Sequence, residues 1–199
     1  MTNPTGGAPQ GNWQAPPPGG TPGGFNPNLQ QVAAEPGPAP GVTYADIVTR
    51  IIALVIDSII LVVPYYIVIA ILAFMGGWIA FLVGGVVYLA WSAAYFIYTW
   101  TKMRASYGQK FLKLETVSAA DGSTLTQDQA IKRWAFLFGP MALAQILSFS
   151  GGFLLGAIGS LLSLVAFVYS LYLLYTVTQS AKRQGFHDLQ AGTVVIKHG

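Results

Sequence analysis

A chain of 199 residues that is 53% hydrophobic and 9% charged, with mean hydropathy +0.54, carries far less charge than the roughly 25% of a soluble domain and reads as a membrane protein. Its net charge of +3 comes from residues flanking apolar runs, not from one basic soluble face, which excludes nucleic acid as a partner. Without cysteine there are no disulfides, thiolate metal sites or Cys nucleophiles, and with only His187 and His198 available neither a metal nor a cofactor is expected.

Residues 1–42 hold ten of the twelve prolines, nine glycines and a single charge, Glu35. Such a segment has too little apolar surface to offset its ordering entropy, so it is predicted to be a disordered Pro/Gly-rich N-terminal tail. No basic stretch leads into a short apolar run at the start, so no cleavable signal peptide is expected, and the first span should act as the insertion signal. That span, Ile47 to Phe74, covers 28 residues against the roughly 20 needed, and is broken by Thr49, Arg50, Asp57 and Ser58. Arg50 and Asp57 are seven residues apart, so they share a helix face at two depths about 10 Å apart. A charge at a helix centre costs about 3 kcal/mol on insertion scales, so this face should look onto protein or a water-filled cavity, and Asp57 needs a partner. Pro64, seven residues further on, frees a carbonyl and bends the helix; that carbonyl is either satisfied by a neighbour or left as a ligand.

Met75, Gly76 and Gly77 form a turn into a second span, Trp78 to Trp100, bracketed by aromatic residues. The loop 101–133 then concentrates Lys102, Arg104, Lys110, Lys113, Lys132 and Arg133, cations suited to anionic lipid headgroups at about 1 kcal/mol each. Within it, FLKLETV and STLT are predicted to pair as a β-hairpin about a turn at Asp121 and Gly122. Thr126 with Gln129 forms a capping box that opens a helix. Trp134 to Phe149 has only 16 residues and contains Gly139 and Pro140, the length of a short span or a re-entrant segment, whereas Phe153 to Val177 is a full span.

Charge placement arbitrates between three and four segments. If both later segments cross, Arg50, the basic loop and the tail 178–199 with Lys182, Arg183 and Lys197 share one side, as the positive-inside rule favours; three spans would strand Lys182 and Arg183 opposite. The expected fold is an all-α membrane protein of two transmembrane helical hairpins, four segments in all, with a small cytoplasmic β-hairpin and the disordered tail. It is expected to be multi-pass in the plasma membrane with both termini cytoplasmic. Near the end TVVI has strand character and is placed to join the hairpin.

Three features together resemble the RDD family of small integral membrane proteins, named for one arginine and two aspartates. TRIIALVID supplies Arg50 and Asp57, and KRQGFHDLQAGTVVI supplies Asp188 within an HDLxAGTxV signature that includes His187, Ala191, Gly192 and Thr193. Between them YGQKFLKLETVSAADG is similar to the family's loop at Gly108, Gln109, Lys110, Leu114, Asp121 and Gly122, and Arg133 and Trp134 also fit. The similarity covers about residues 43–197; Lys113, Glu115 and the Pro/Gly tail depart from the pattern. It implies a membrane domain, with transport of a cation or other ligand suggested for some members.

Arg50, Asp57, Asp188, His187 and Arg183 form the candidate polar network. Its two readings are a buried ion-pair network orienting the tail against the first helix, and an ion or ligand site in which Asp57 titrates. Two functions compete: transport of a cation or small solute, which four segments could enclose only as a homo-oligomer or with partners, and a non-catalytic subunit, scaffold or assembly factor for a larger membrane complex. No nucleophile, metal or phosphate-binding motif is assembled in the sequence, so no enzymatic activity is expected.

Overall fold

The computed structural model describes residues 37–74, 77–148 and 152–199. The predicted tail up to residue 36, the turn at Met75 and Gly76, Phe149, and most of the turn from Ser150 to Gly152 lie outside these residues. In chain order the elements are β1 (Val42–Tyr44), α1 (Ile47–Ala73), α2 (Gly77–Met103), α3 (Tyr107–Phe111), β2 (Leu114–Ser118), α4 (Gln127–Ser148), α5 (Phe153–Thr178), α6 (Phe186–Ala191) and β3 (Thr193–His198).

Helices α1, α3 and α4 start where a side chain satisfies free amides. Asp46 caps α1, accepting from the Thr49 amide at 2.9 Å and its hydroxyl at 2.5 Å. Burial works against this carboxylate, but the two Thr49 hydrogen bonds outweigh it and hold Asp46 below its usual range. Ser106 and Gln109 form a reciprocal capping box on α3. The expected box of Thr126 and Gln129 opens α4, with the Gln129 amide 3.2 Å from Thr126 Oγ1 and the Thr126 amide 3.0 Å from Gln129 Oε1. Glycine closes α6: Gly192 sits in the left-handed region at φ 64°, which ends the helix and turns the chain into β3.

Three stretches, Ile47–Leu72, Leu82–Met103 and Phe153–Thr178, are long and apolar enough to cross a membrane. Most of their surface is uncovered by the chain itself; Val48, Val55, Ile59, Val63 and Ile67 form an open apolar flank along α1. By contrast α4, whose first turns carry Asp128, Lys132 and Arg133, is not among these three. It begins at Gln127, well before the expected segment at Trp134, and continues as helix through Gly139 and Pro140. It packs extensively on α5 and α2. Leu61, Phe96, Trp100, Leu125 and Ala130 form the core where α1, α2 and α4 converge, with Phe96 stacked on Phe138 at 4.9 Å.

The sheet corrects two expectations. Its order is β1-β3-β2 with both pairings antiparallel, so the tail strand is the centre and not an addition to a hairpin. Thr116 pairs with Val195, and Tyr44 with Ile196. The expected hairpin partner, STLT, contributes only an isolated bridge between Val117 and Thr124, although the turn at Asp121 and Gly122 forms, with Gly122 at φ 70° and the Gly122 amide bonded to Ser118 O at 2.9 Å. Burial decides the competition: β3 places Val195 against Ala45, Ala53 and Leu114 on one face, and Val194 and Ile196 against Val117 on the other, whereas Ser123 and Thr124 have little apolar surface to bury. Residues 37–42, assigned to the disordered tail, are also folded. Ala39 bridges Val42 across a turn with Gly41 at φ 75°, because β3 offers an edge that local composition does not reveal.

Candidate functional site: a buried arginine–aspartate network

Asp188 is fully buried in the first turn of α6 and accepts from four donors. Its Oδ2 accepts from Arg50 Nη1 of α1 at 2.7 Å and from the Gly185 amide at 3.0 Å. Its Oδ1 accepts from Arg133 Nη1 of α4 and from Thr193 Oγ1 at 3.2 Å. One carboxylate thus joins α1, α4, α6 and the start of β3, and the HDLxAGT signature becomes legible as geometry. Ala191 is buried under the short helix, Gly192 supplies the left-handed exit, and Thr193 returns a hydroxyl to the carboxylate.

Arg133, which the sequence placed in the basic loop and among the residues fitting the family pattern but not in the polar network, is the further partner. Its side chain is 4% exposed, it also donates to Thr193 Oγ1 at 2.7 Å, and its guanidinium lies 5.0 Å from the centre of the Trp100 ring. A signal existed: Arg133 falls three residues after Ala130 and four before Leu137, the apolar face of α4, whereas Lys132 points away and pairs with Asp128. Arg50 additionally donates from Nε to Ala45 O at 3.1 Å. Arg183, expected in the same network, adopts φ 52° in the turn before α6, and its side chain makes no hydrogen bond or ion pair among the described residues.

Asp57 finds its partners elsewhere. Two percent exposed, it accepts from Tyr95 Oη of α2 at 2.6 Å, from Ser106 Oγ at 2.5 Å and from the Gly108 amide at 2.8 Å. Among the described residues no arginine is hydrogen-bonded to it. The carboxylate instead fastens the loop after α2 onto α1, and Gly108 makes that approach possible. A Cβ at this position would stand 2.1 Å from Ala53 O and 2.9 Å from the Asp57 carboxyl carbon. Gln109 extends the fastening, accepting from Trp100 Nε1, Thr116 Oγ1 and the Ser106 amide. Lys110 is exposed, and Asp121 is occupied by its own turn, where hydrogen bonds from the Ser123 hydroxyl and amide hold it below the usual carboxylate range.

The two aspartate clusters meet across a cavity of about 80 Å³ lined by Arg50, Asp57, Arg133 and His187 together with Trp100 and Gln109. Its apolar wall comes from Ile47, Ile51 and Leu54 of α1 and Leu174 and Val177 of α5. Among the described residues Arg50 Nη2, Arg133 Nε and His187 Nδ1 are buried without a hydrogen-bond partner. His187 Nε2 lies 3.6 Å from Asp188 Oδ2. Burial, then the charges of Arg133 and Arg50, push the His187 pKa well below its ordinary value, so the ring is neutral. A second cavity of about 170 Å³ lies farther along α1 and contains Ser58, Tyr88, Ser92 and Gln145; Leu54 and Phe96 belong to the walls of both.

Apolar helices long enough to span, tied at one end by buried arginines and aspartates, define a helical membrane protein. The model of the RDD family matches residues 44–192, most of the chain, and the chain belongs to that family. No curated protein and no solved structure matches it.

Proposed function

We propose that the protein passes a small solute across the cell membrane through its two cavities, as a non-catalytic carrier. The observation that carries this reading is their shared wall: Leu54 and Phe96 separate the chamber lined by Arg50, Asp57 and Arg133 from a second chamber deeper along α1. In this reading α4 is a fourth membrane segment, both termini are cytoplasmic, and the basic residues of the loop and tail meet anionic headgroups. A homo-oligomer completes the enclosure, since four segments leave the apolar flanks of α1 and α5 uncovered. Asp57 holds the wall of the pathway: its carboxylate oxygens are already engaged by Tyr95, Ser106 and Gly108, which favours a solute other than a cation.

The test is flux in vesicles containing the purified protein, with sodium, potassium, chloride, acetate and glycerol as probes. Leu54→Trp, which thickens the shared wall without removing a hydrogen bond, is expected to cut the flux of the transported probe at least about tenfold while unfolding at the wild-type temperature. Folded protein that passes none of the probes sinks the transport reading. The second reading, a subunit of a larger membrane assembly, is favoured by the uncovered α1 flank and expects stoichiometric co-purification with another membrane protein.

A further inference from the structure

We infer that the chamber beneath Asp188 is an oxyanion site, which takes a carboxylate or phosphate group on Arg50 and Arg133. This deepens the solute reading above by naming the chemistry of the bound group, and it rests on which polar atoms remain free. The carboxylate that lines the chamber, Asp57, is already engaged by Tyr95, Ser106 and Gly108, and Asp188, buried behind the lining, by Arg50, Arg133, Thr193 and Gly185. A cation would find only the second acceptor position of Asp57 Oδ2, whose first Ser106 holds. What remains on the lining residues is donor capacity, at Arg50 Nη2 and Arg133 Nε, buried atoms without a partner on side chains 11% and 4% exposed, which a small turn of each guanidinium would present to a bound group.

A guanidinium N–H cannot be left bare in an apolar surround without large cost, and it cannot shed its proton, so it calls for an acceptor. Oxyanions supply several acceptor atoms on one centre, the geometry that guanidinium groups bind best. His187 Nδ1 adds a donor or acceptor according to its tautomer. The volume of about 80 Å³ admits a carboxylate or phosphate head but not a large solute. The apolar wall of Ile47, Ile51, Leu174 and Val177 accepts a hydrocarbon tail as readily as it excludes bulk water, so the oxyanion is either free in solution or the head of an anionic lipid.

The experiment separates these sources. Purified protein in nanodiscs of zwitterionic lipid is titrated with sodium acetate and with sodium phosphate at constant ionic strength, and a parallel set of nanodiscs contains phosphatidylglycerol. The readouts are Trp fluorescence and the unfolding temperature. A saturable response to acetate or phosphate in zwitterionic discs identifies a free oxyanion; a rise in unfolding temperature only in phosphatidylglycerol discs identifies a lipid headgroup. Either response should weaken at least about tenfold in Arg50→Gln, which removes a charged donor. It should weaken similarly in Leu174→Trp, which fills the chamber and leaves every hydrogen bond intact, so that loss of binding is separable from loss of folding. No saturable response to acetate or phosphate together with no rise in unfolding temperature in phosphatidylglycerol discs, or equal responses in wild type and Leu174→Trp, overturns the inference. Binding without vesicle flux keeps the oxyanion site and removes the transport reading; flux without binding does the reverse.

Discussion

Replacing Asp188 with asparagine is the sharpest perturbation of the network. The side chain keeps its shape but loses the negative charge that faces Arg50 and Arg133, and one of its polar atoms becomes a donor pointing at donors. Removing one partner of a buried ion pair costs about 3 to 5 kcal/mol, mostly through the charges left uncompensated. Here two guanidiniums are left, 11% and 4% exposed, so solvent recovers little of the loss. For a chain of this size each kcal/mol corresponds to roughly 2 to 4 °C, so the expected fall in unfolding temperature is about 6 to 20 °C. Thermal unfolding of detergent-solubilised protein, followed by Trp fluorescence, measures it. A double-mutant cycle adds the decisive control. If Asp188 stabilises mainly by offsetting Arg133, Asp188→Asn combined with Arg133→Gln should lose far less than the sum of the two single changes. A shift below about 2 °C, or strict additivity in the cycle, refutes the reasoning.

Gly108→Ala should destabilise by about 1 to 3 kcal/mol, because its Cβ meets the Ala53 carbonyl at 2.1 Å and forces the α3 loop off Asp57. Gly85→Ala, with nothing within 4 Å of the added carbon, should be neutral or stabilising, and paired thermal melts compare the two. His187 sets a pH dependence of definite sign. Its folded pKa is depressed by burial and then by Arg133 and Arg50, so above the ordinary value of 6.5 neither folded nor unfolded state binds the proton and nothing changes. Below 6.5 the unfolded ring takes a proton that the folded ring refuses, and stability falls with acidification by up to about 1.4 kcal/mol per pH unit. Unfolding midpoints between pH 7.5 and 5 should show this slope in wild type and lose it in His187→Gln; an unchanged slope in the variant refutes it.

The parts of the fold visible from sequence are those governed by local rules. Apolar length marked the regions of α1, α2 and α5, and the Thr126 and Gln129 box marked the start of α4. The meeting of Arg50 with Asp188 was also legible, because charge counting brought the tail to the side where α1 begins. The rest depended on competition between distant segments. Whether β2 pairs with STLT or with TVVI is decided by buried area on both faces of β3, which no window of sequence contains. Helical spacing put Asp57 on the face of Arg50 and left its partner open; a loop glycine that permits close approach brings a tyrosine, a serine and an amide to it. Lys132 and Arg133 look alike as neighbouring cations; the 100° between successive helix positions sends one outward and the other into the core.

The strand at the centre of the sheet is also the last of the three to be synthesised. β1 precedes the first helix and β2 follows the second, yet they pair with β3 and not with each other. Arg50 and Arg133 likewise emerge long before Asp188. Order of synthesis and order of closure are therefore reversed: the membrane helices can enter the bilayer one after another, while the end that locks them together waits for residues 188–198 and the slow step of closing long loops. A chain interrupted before Asp188 differs from one that has reached His198 less in its apolar helices than in two bare arginines and an open pair of strands.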